Sequence, residues 1–137
     1  MNSYNKKMLL LISLLVSFGC GIRPNNSEAE KLAARIHSQI QARDYKALYE
    51  NAGPAIHKVA TEIEFVTMMD RLHSDYGALE EAVLDDFVIR MDSRLGKMYI
   101  LAYNVKFERK NIAERIVFTA YDKGSMQLYE LGFNPID

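Results

Sequence analysis

Apolar positions recur every three to four residues through the first half of the chain and every second residue after Glu81, so the pattern predicts helices first and strands second. Ala29, Leu32, Ala33, Ile36 and Ile40 fall on one helical face, with Lys31, Arg35 and Gln39 opposite. Ser27, followed three residues later by Glu30, has the form of a capping box and places the start of that helix. His37 sits beside the stripe and reads as a solvated or rim histidine. Asp44 is a candidate N-cap for a short second helix carrying Tyr45, Leu48 and Tyr49, which the run Asn51, Ala52, Gly53 and Pro54 stops. Thr61 and Glu64 offer a second capping box, and Phe65, Met69, Leu72 and Tyr76 then form the stripe of a third helix that ends at Gly77.

Beyond that point Phe87, Ile89 and Met91 alternate with Val88, Arg90 and Asp92, and the turn from Ser93 to Lys97 leads into a longer strand. Tyr99, Leu101, Tyr103, Val105 and Phe107 share one face of that strand, and Met98, Ile100, Ala102, Asn104 and Lys106 share the other. After a charged connection over 108–111, Ile116, Phe118 and Ala120 mark a third strand, 122–125 a hairpin turn, and 126–133 a fourth strand. Apolar residues occur on both faces, as expected of a sheet that is curved or covered. The order predicts an α+β domain in which three N-terminal helices pack on a curved four-stranded antiparallel sheet. Phe65, Leu72, Ile100, Leu101 and Phe118 are the expected core.

The first residues follow a different logic. Lys6 and Lys7 precede an apolar run from Met8 to Val16, and Ser17, Phe18 and Gly19 lead to Cys20, the order of a signal peptide's charged, apolar and cleavage regions. A membrane-spanning helix needs about 20 apolar residues, and this run is roughly half that. The placement of Cys20 resembles a bacterial lipoprotein signal, which implies a diacylglyceryl group on its thiol and cleavage just before it. The resulting division is a signal peptide over 1–19, a tether over 20–27 and a single domain over 28–137. By the enterobacterial sorting rule that the resemblance brings with it, Gly21 in place of Asp directs the protein to the outer membrane, facing the periplasm. Loss of Lys6 and Lys7 with the leader takes the formal charge from −1 to −3.

Composition narrows the chemistry. Balanced charge without a basic block argues against nucleic acid as a partner. One cysteine excludes an internal disulfide, and with three histidines no Cys-rich zinc site is expected; no cofactor is implied. The chain lacks a Gly-rich phosphate loop, a His-Glu-x-x-His sequence and a Gly-x-Ser-x-Gly elbow.

The helix-then-strand order, with Arg43-Asp44-Tyr45, the helix from Phe65 to Gly77 and the segment Tyr121-Asp122-Lys123-Gly124-Ser125-Met126-Gln127-Leu128-Tyr129, resembles small bacterial secreted proteins of the nuclear-transport-factor-two-like (cystatin-like) cone fold. The resemblance covers about 28–135 and implies a cone-shaped pocket and an envelope address; many such proteins are lipoproteins. In that fold a Trp often follows the last hairpin turn, where this chain has Met126.

Tyr45, Tyr49, Tyr99, Tyr103, Tyr121 and Tyr129 are the candidate lining of a cavity, and cross-strand aromatic packing is the preferred account of their pattern. Asp70 and His73, three apart on the third helix, are the candidate acid and base of an alternative, enzymatic reading; at a helix rim they are expected to be a surface pair. Asp85 and Asp86 read as a turn or solvated edge; Arg90, Arg94 and Lys97 with Lys106, Arg109, Lys110 and Arg115 suggest a mildly basic outer patch, and the interleaved Asp92, Glu108 and Glu114 make a mixed charged face the preferred account. The expected function is that of a non-enzymatic, lipid-anchored envelope domain that binds a partner protein or a small apolar ligand. A structural accessory of an envelope complex is the further alternative.

Overall fold

The computed structural model describes residues 27–120 and 124–136, the side chain of Ser27 excepted. Four helices precede the sheet: α1 (Ser27–Gln41), α2 (Tyr45–Glu50), α3 (Pro54–Val59) and α4 (Glu62–Tyr76). Four strands follow, β1 (Leu79–Asp92), β2 (Gly96–Phe107), β3 (Asn111–Ala120) and β4 (Gln127–Pro135), forming one antiparallel sheet in the order β1-β2-β3-β4.

Helix α3 corrects the expectation of three helices. Pro54 stops α2 but also starts α3, because a proline lacks only an N–H that the first helical turn leaves unpaired. Gly53 precedes it and lies against β4, where its N–H donates to the Leu128 carbonyl at 2.9 Å and a Cβ would stand 2.6 Å from that oxygen. The starts of α2 and α4 follow their signals. Asp44 Oδ1 accepts from the Ala47 N–H at 3.3 Å. Thr61 and Glu64 exchange the two hydrogen bonds of a capping box, and the Thr61 N–H and then its hydroxyl, both donating to Glu64 Oε2, hold that carboxyl below its ordinary range.

Helix α4 ends on Gly77, whose φ of 84° places it in the region that favours glycine. Arg109, in the β2–β3 connection, donates to the carbonyls of His73, Ser74 and Asp75 at 3.3, 2.6 and 3.2 Å, the first of which also accepts from the Gly77 N–H. A cation on the last turn satisfies orphan acceptors and opposes the helix dipole, so it fixes α4 against the sheet.

The strands begin earlier than the alternation suggested: β1 at Leu79 and β3 at Asn111. Between Leu84 and Asp86 the pairing with β2 shifts by one residue, so Asp85 and Asp86 both face solvent instead of alternating. The helix-facing side of the sheet carries Tyr99, Leu101, Tyr103, Val105 and Phe107 from β2 and Ile112, Ile116 and Phe118 from β3, all buried. Ala29, Ala33, Ile36 and Ile40 of α1, Leu48 of α2 and Phe65 and Met69 of α4 close over it. Phe65, Leu101 and Phe118 are therefore core as expected, while Leu72 and Ile100 are half-buried. Ile100 lies on the opposite face, paired with Val88 and Val117. No described helix is long and apolar enough to cross a membrane.

Candidate functional site

Two residues that the sequence placed at the surface meet inside the core. His37 lies on the buried face of α1 between Ala33 and Ile40, and Glu114 occupies the inward register of β3 between Ile112 and Ile116. His37 Nε2 and Glu114 Oε2 are 2.5 Å apart, and the side chains are 11% and 0% exposed. The expected rim position of His37 and the expected surface position of Glu114 are both corrected. In each case the phase of the apolar period outweighs the polarity of the residue. Glu114 replaces one apolar position in the alternation Ile112, Ile116, Phe118, and a carboxylate so placed needs a charged or donor partner.

Tyr103 is the β2 residue directly opposite Glu114, and its ring meets the His37 imidazole edge-on at 4.7 Å and 82°. Burial, followed by the charges of Glu30 and Glu114, pushes its hydroxyl up to about 12. Glu30 belongs to the same helix as His37, seven residues before it and so on the same face. The second oxygen of Glu114, Oε1, has no hydrogen-bond partner. Chemically the group is an acid–base pair in a low-dielectric site with one carboxylate oxygen unspent. Among the described residues no cluster of three His, Cys, Asp or Glu side chains is suited to hold a metal ion.

Two clefts flank the core without being lined by this pair. The larger, about 380 Å³, runs between α4 and the β3–β4 edge. Met69, Leu72 and Tyr76 form one wall and Leu131 and Phe133 the other, over Ile112, with Arg71 and Asp75 among its polar residues. Phe133 is the β4 neighbour of Glu114, so one cross-strand position separates this groove from the buried pair. The smaller cleft, about 190 Å³, lies between α1, α2 and the start of β4 and includes Leu32, Arg35, Phe118 and Met126.

The other expected site residues are dispersed. Asp70 accepts from Arg43 Nη2 at 3.0 Å with both side chains about half exposed, and His73 is partly exposed on the last turn of α4. Neither lines the two clefts. Tyr45 is buried, and burial, partly offset by Arg43, raises its hydroxyl. The Tyr49 hydroxyl donates to the Ala60 carbonyl at 2.9 Å, Tyr99 is buried beside Phe87, and Tyr129 is half-buried. Of the tyrosines described, only Tyr103 joins the buried pair, and the groove uses Tyr76, which the sequence had assigned to core. Cys20 and Tyr121 lie outside the described residues.

The chain matches no protein-family model and no curated protein.

Proposed function

We propose that the chain is a non-enzymatic binding domain, anchored to the envelope by lipid on Cys20, that takes the apolar body of a small ligand or an apolar partner segment in the groove between α4 and β4. The observation that carries this reading is the groove itself: open, apolar along both walls, and lined also by the charged residues Arg71 and Asp75. Methionines 68 and 69 suit a wall that adapts to varied apolar shapes. The register shifts in β1 and between β3 and β4 support a curved sheet of the cone type, since each bulge bends its strand. The signal segment ending at Cys20 supports the anchor and the periplasmic, outer-membrane address.

A second reading, a small enzyme, is favoured by one observation: Glu114 Oε1 is buried without a partner beside an imidazole. It ranks behind the binding reading because a reacting group needs access to the base, and the Glu114 side chain is 0% exposed. On this reading His37 and Glu114, rather than Asp70 and His73, are the acid and base.

N-phenyl-1-naphthylamine, which brightens in apolar surroundings, tests the groove. The mature chain is expected to give a saturable rise in emission that Leu131→Glu abolishes while leaving the far-ultraviolet circular dichroism unchanged. An equal rise in the variant, or none in the parent, overturns the assignment of the groove. Mass spectrometry of the mature N-terminus tests the anchor separately, and an unmodified Cys20 would remove it.

A further inference from the structure

The end of the molecule from which the chain leads back to Cys20 carries its own surface chemistry. Helix α1 is oriented by its two ends. Gln41 Nε2, at its C-terminus, donates to the Leu79 carbonyl at the start of β1. Leu32, nearer its N-terminus, lines the small cleft with Phe118 and Met126, close to the last residues of β3 and the first of β4. Phe118 pairs with Tyr99 and Tyr99 with Ile89, so this is also the end of the sheet that carries the β1–β2 hairpin. The start of α1 and that hairpin therefore share one end of the domain. Six residues separate Ser27 from Cys20, and the connecting chain spans at most about 25 Å at roughly 3.5 Å per residue. A lipid on Cys20 holds this end close to the bilayer.

The hairpin presents cations and one large apolar side chain. Met91 is 78% exposed. Arg90, Arg94 and Lys97 are exposed and form no ion pair among the described residues. The carboxylate within the turn, Asp92, accepts on its Oδ1 from the N–H groups of Arg94 and Leu95 at 2.8 and 2.9 Å and also feels the charge of Arg94, so it offsets one of the three cations and leaves the other two. Lys97 leans over the Tyr99 ring, with Nζ 5.2 Å from its centre. On the adjoining first turns of α1, exposed Glu28 is offset by exposed Lys31, and Glu30 is partly buried. The mature chain as a whole is acidic, so this end is cationic against the net charge.

We infer that the β1–β2 hairpin is a membrane-contacting element, which lays Arg90, Arg94 and Lys97 against the headgroups of an anionic phospholipid surface and Met91 into its interface, beside the lipid anchor. The inference rests on the reading of Cys20 as the lipid-bearing residue. Its consequence is orientation. The hairpin and the anchor give two points of attachment, and each cation near an anionic surface strengthens binding by roughly fivefold. A diacylglyceryl anchor carries two chains and holds the domain at the bilayer by itself, so the hairpin's part is to fix the pose in which it is held.

The natural chain has no tryptophan, so a single introduced one reports its own depth. The mature chain carrying Met91→Trp is coupled through the Cys20 thiol to a maleimide phospholipid in vesicles of phosphatidylethanolamine and phosphatidylglycerol, and quenching by brominated lipid is read. Asn134→Trp, exposed at the far end of the sheet opposite Ala113, is the comparison. The expected result is quenching at least twofold stronger at position 91 than at 134, falling to the level of 134 with Arg94→Glu and Lys97→Glu together or in phosphatidylcholine vesicles. Equal quenching at the two positions, or quenching at 91 indifferent to those charges, overturns the inference. The chemical coupling makes this independent of acylation in the cell, which the mass of the mature N-terminus reports by itself.

Discussion

Removing one member of the buried pair should cost far more than removing both. Replacing His37 by Leu leaves Glu114 with neither oxygen partnered at a position that is 0% exposed. Replacing Glu114 by Leu leaves the imidazole Nε2 facing a hydrocarbon wall of Ile112, Ile116 and Tyr103. Leaving one partner of a buried polar contact unsatisfied costs about 1–3 kcal/mol, whereas exchanging both partners for apolar residues of similar size is near neutral or stabilising. The His37 variant is expected to lose more, because a carboxylate is the harder group to leave unsolvated and Glu114 already has one oxygen unpaired. Urea unfolding of the parent, both single variants and the double variant closes the cycle, with m held in common. The double variant should be more stable than either single one. Additive losses, or single variants within about 1 kcal/mol of the parent, would show that the contact carries no coupling and that Glu114 is solvated in solution. The same double variant bears on function: if it folds stably and its cellular phenotype is intact, the enzymatic reading falls.

Tyr103 should be a late-titrating phenol. Its folded-state pKa of about 12 lies above the ordinary 10, so the unfolded chain loses that proton first and the associated stability, full below about pH 10, drains away toward pH 12. Ultraviolet titration of the parent against Tyr103→Phe should show the missing phenolate at the alkaline end, and a loss near pH 10 would refute it. Phe118→Ala, at a position 2% exposed between Tyr99 and Leu128, should lower stability by about 3–5 kcal/mol in the same urea assay, as should Phe65→Ala; unchanged midpoints would contradict the helix-on-sheet packing. Gly53→Ala should destabilise by about 1–3 kcal/mol, because the new Cβ meets the Leu128 carbonyl at 2.6 Å and backbone has to move. A midpoint equal to the parent's would mean that α3 does not approach β4 so closely.

Much of this architecture was legible in the chain because its signals are local. The capping residues Asp44 and Thr61, the glycine at 77 and the alternation Tyr99 to Phe107 depend on neighbours a few residues away, and each occupies the role its spacing implied. Helix α3 was hidden because Pro54 serves equally as a stop and as a first helical residue, and only the space beside β4 selects the second role. The helical and alternating periods also indicated which faces of α1 and β3 turn inward, but the polarity of His37 and Glu114 pointed to the surface, and only the structure places them in the core. What they do there was decided by a contact across 77 residues, since a buried histidine and a buried glutamate each remain unexplained until the helix crosses the sheet at the other's height. The groove is likewise a tertiary product: α4 supplies one wall, β4 the other, and Arg109 holds α4 in place against the β2–β3 connection. Period and caps settled most of the elements and their inward faces, because those depend on residues a few positions apart. The tertiary structure alone decided which inward residues meet, because that depends on how helices cross a sheet, and no local period encodes it.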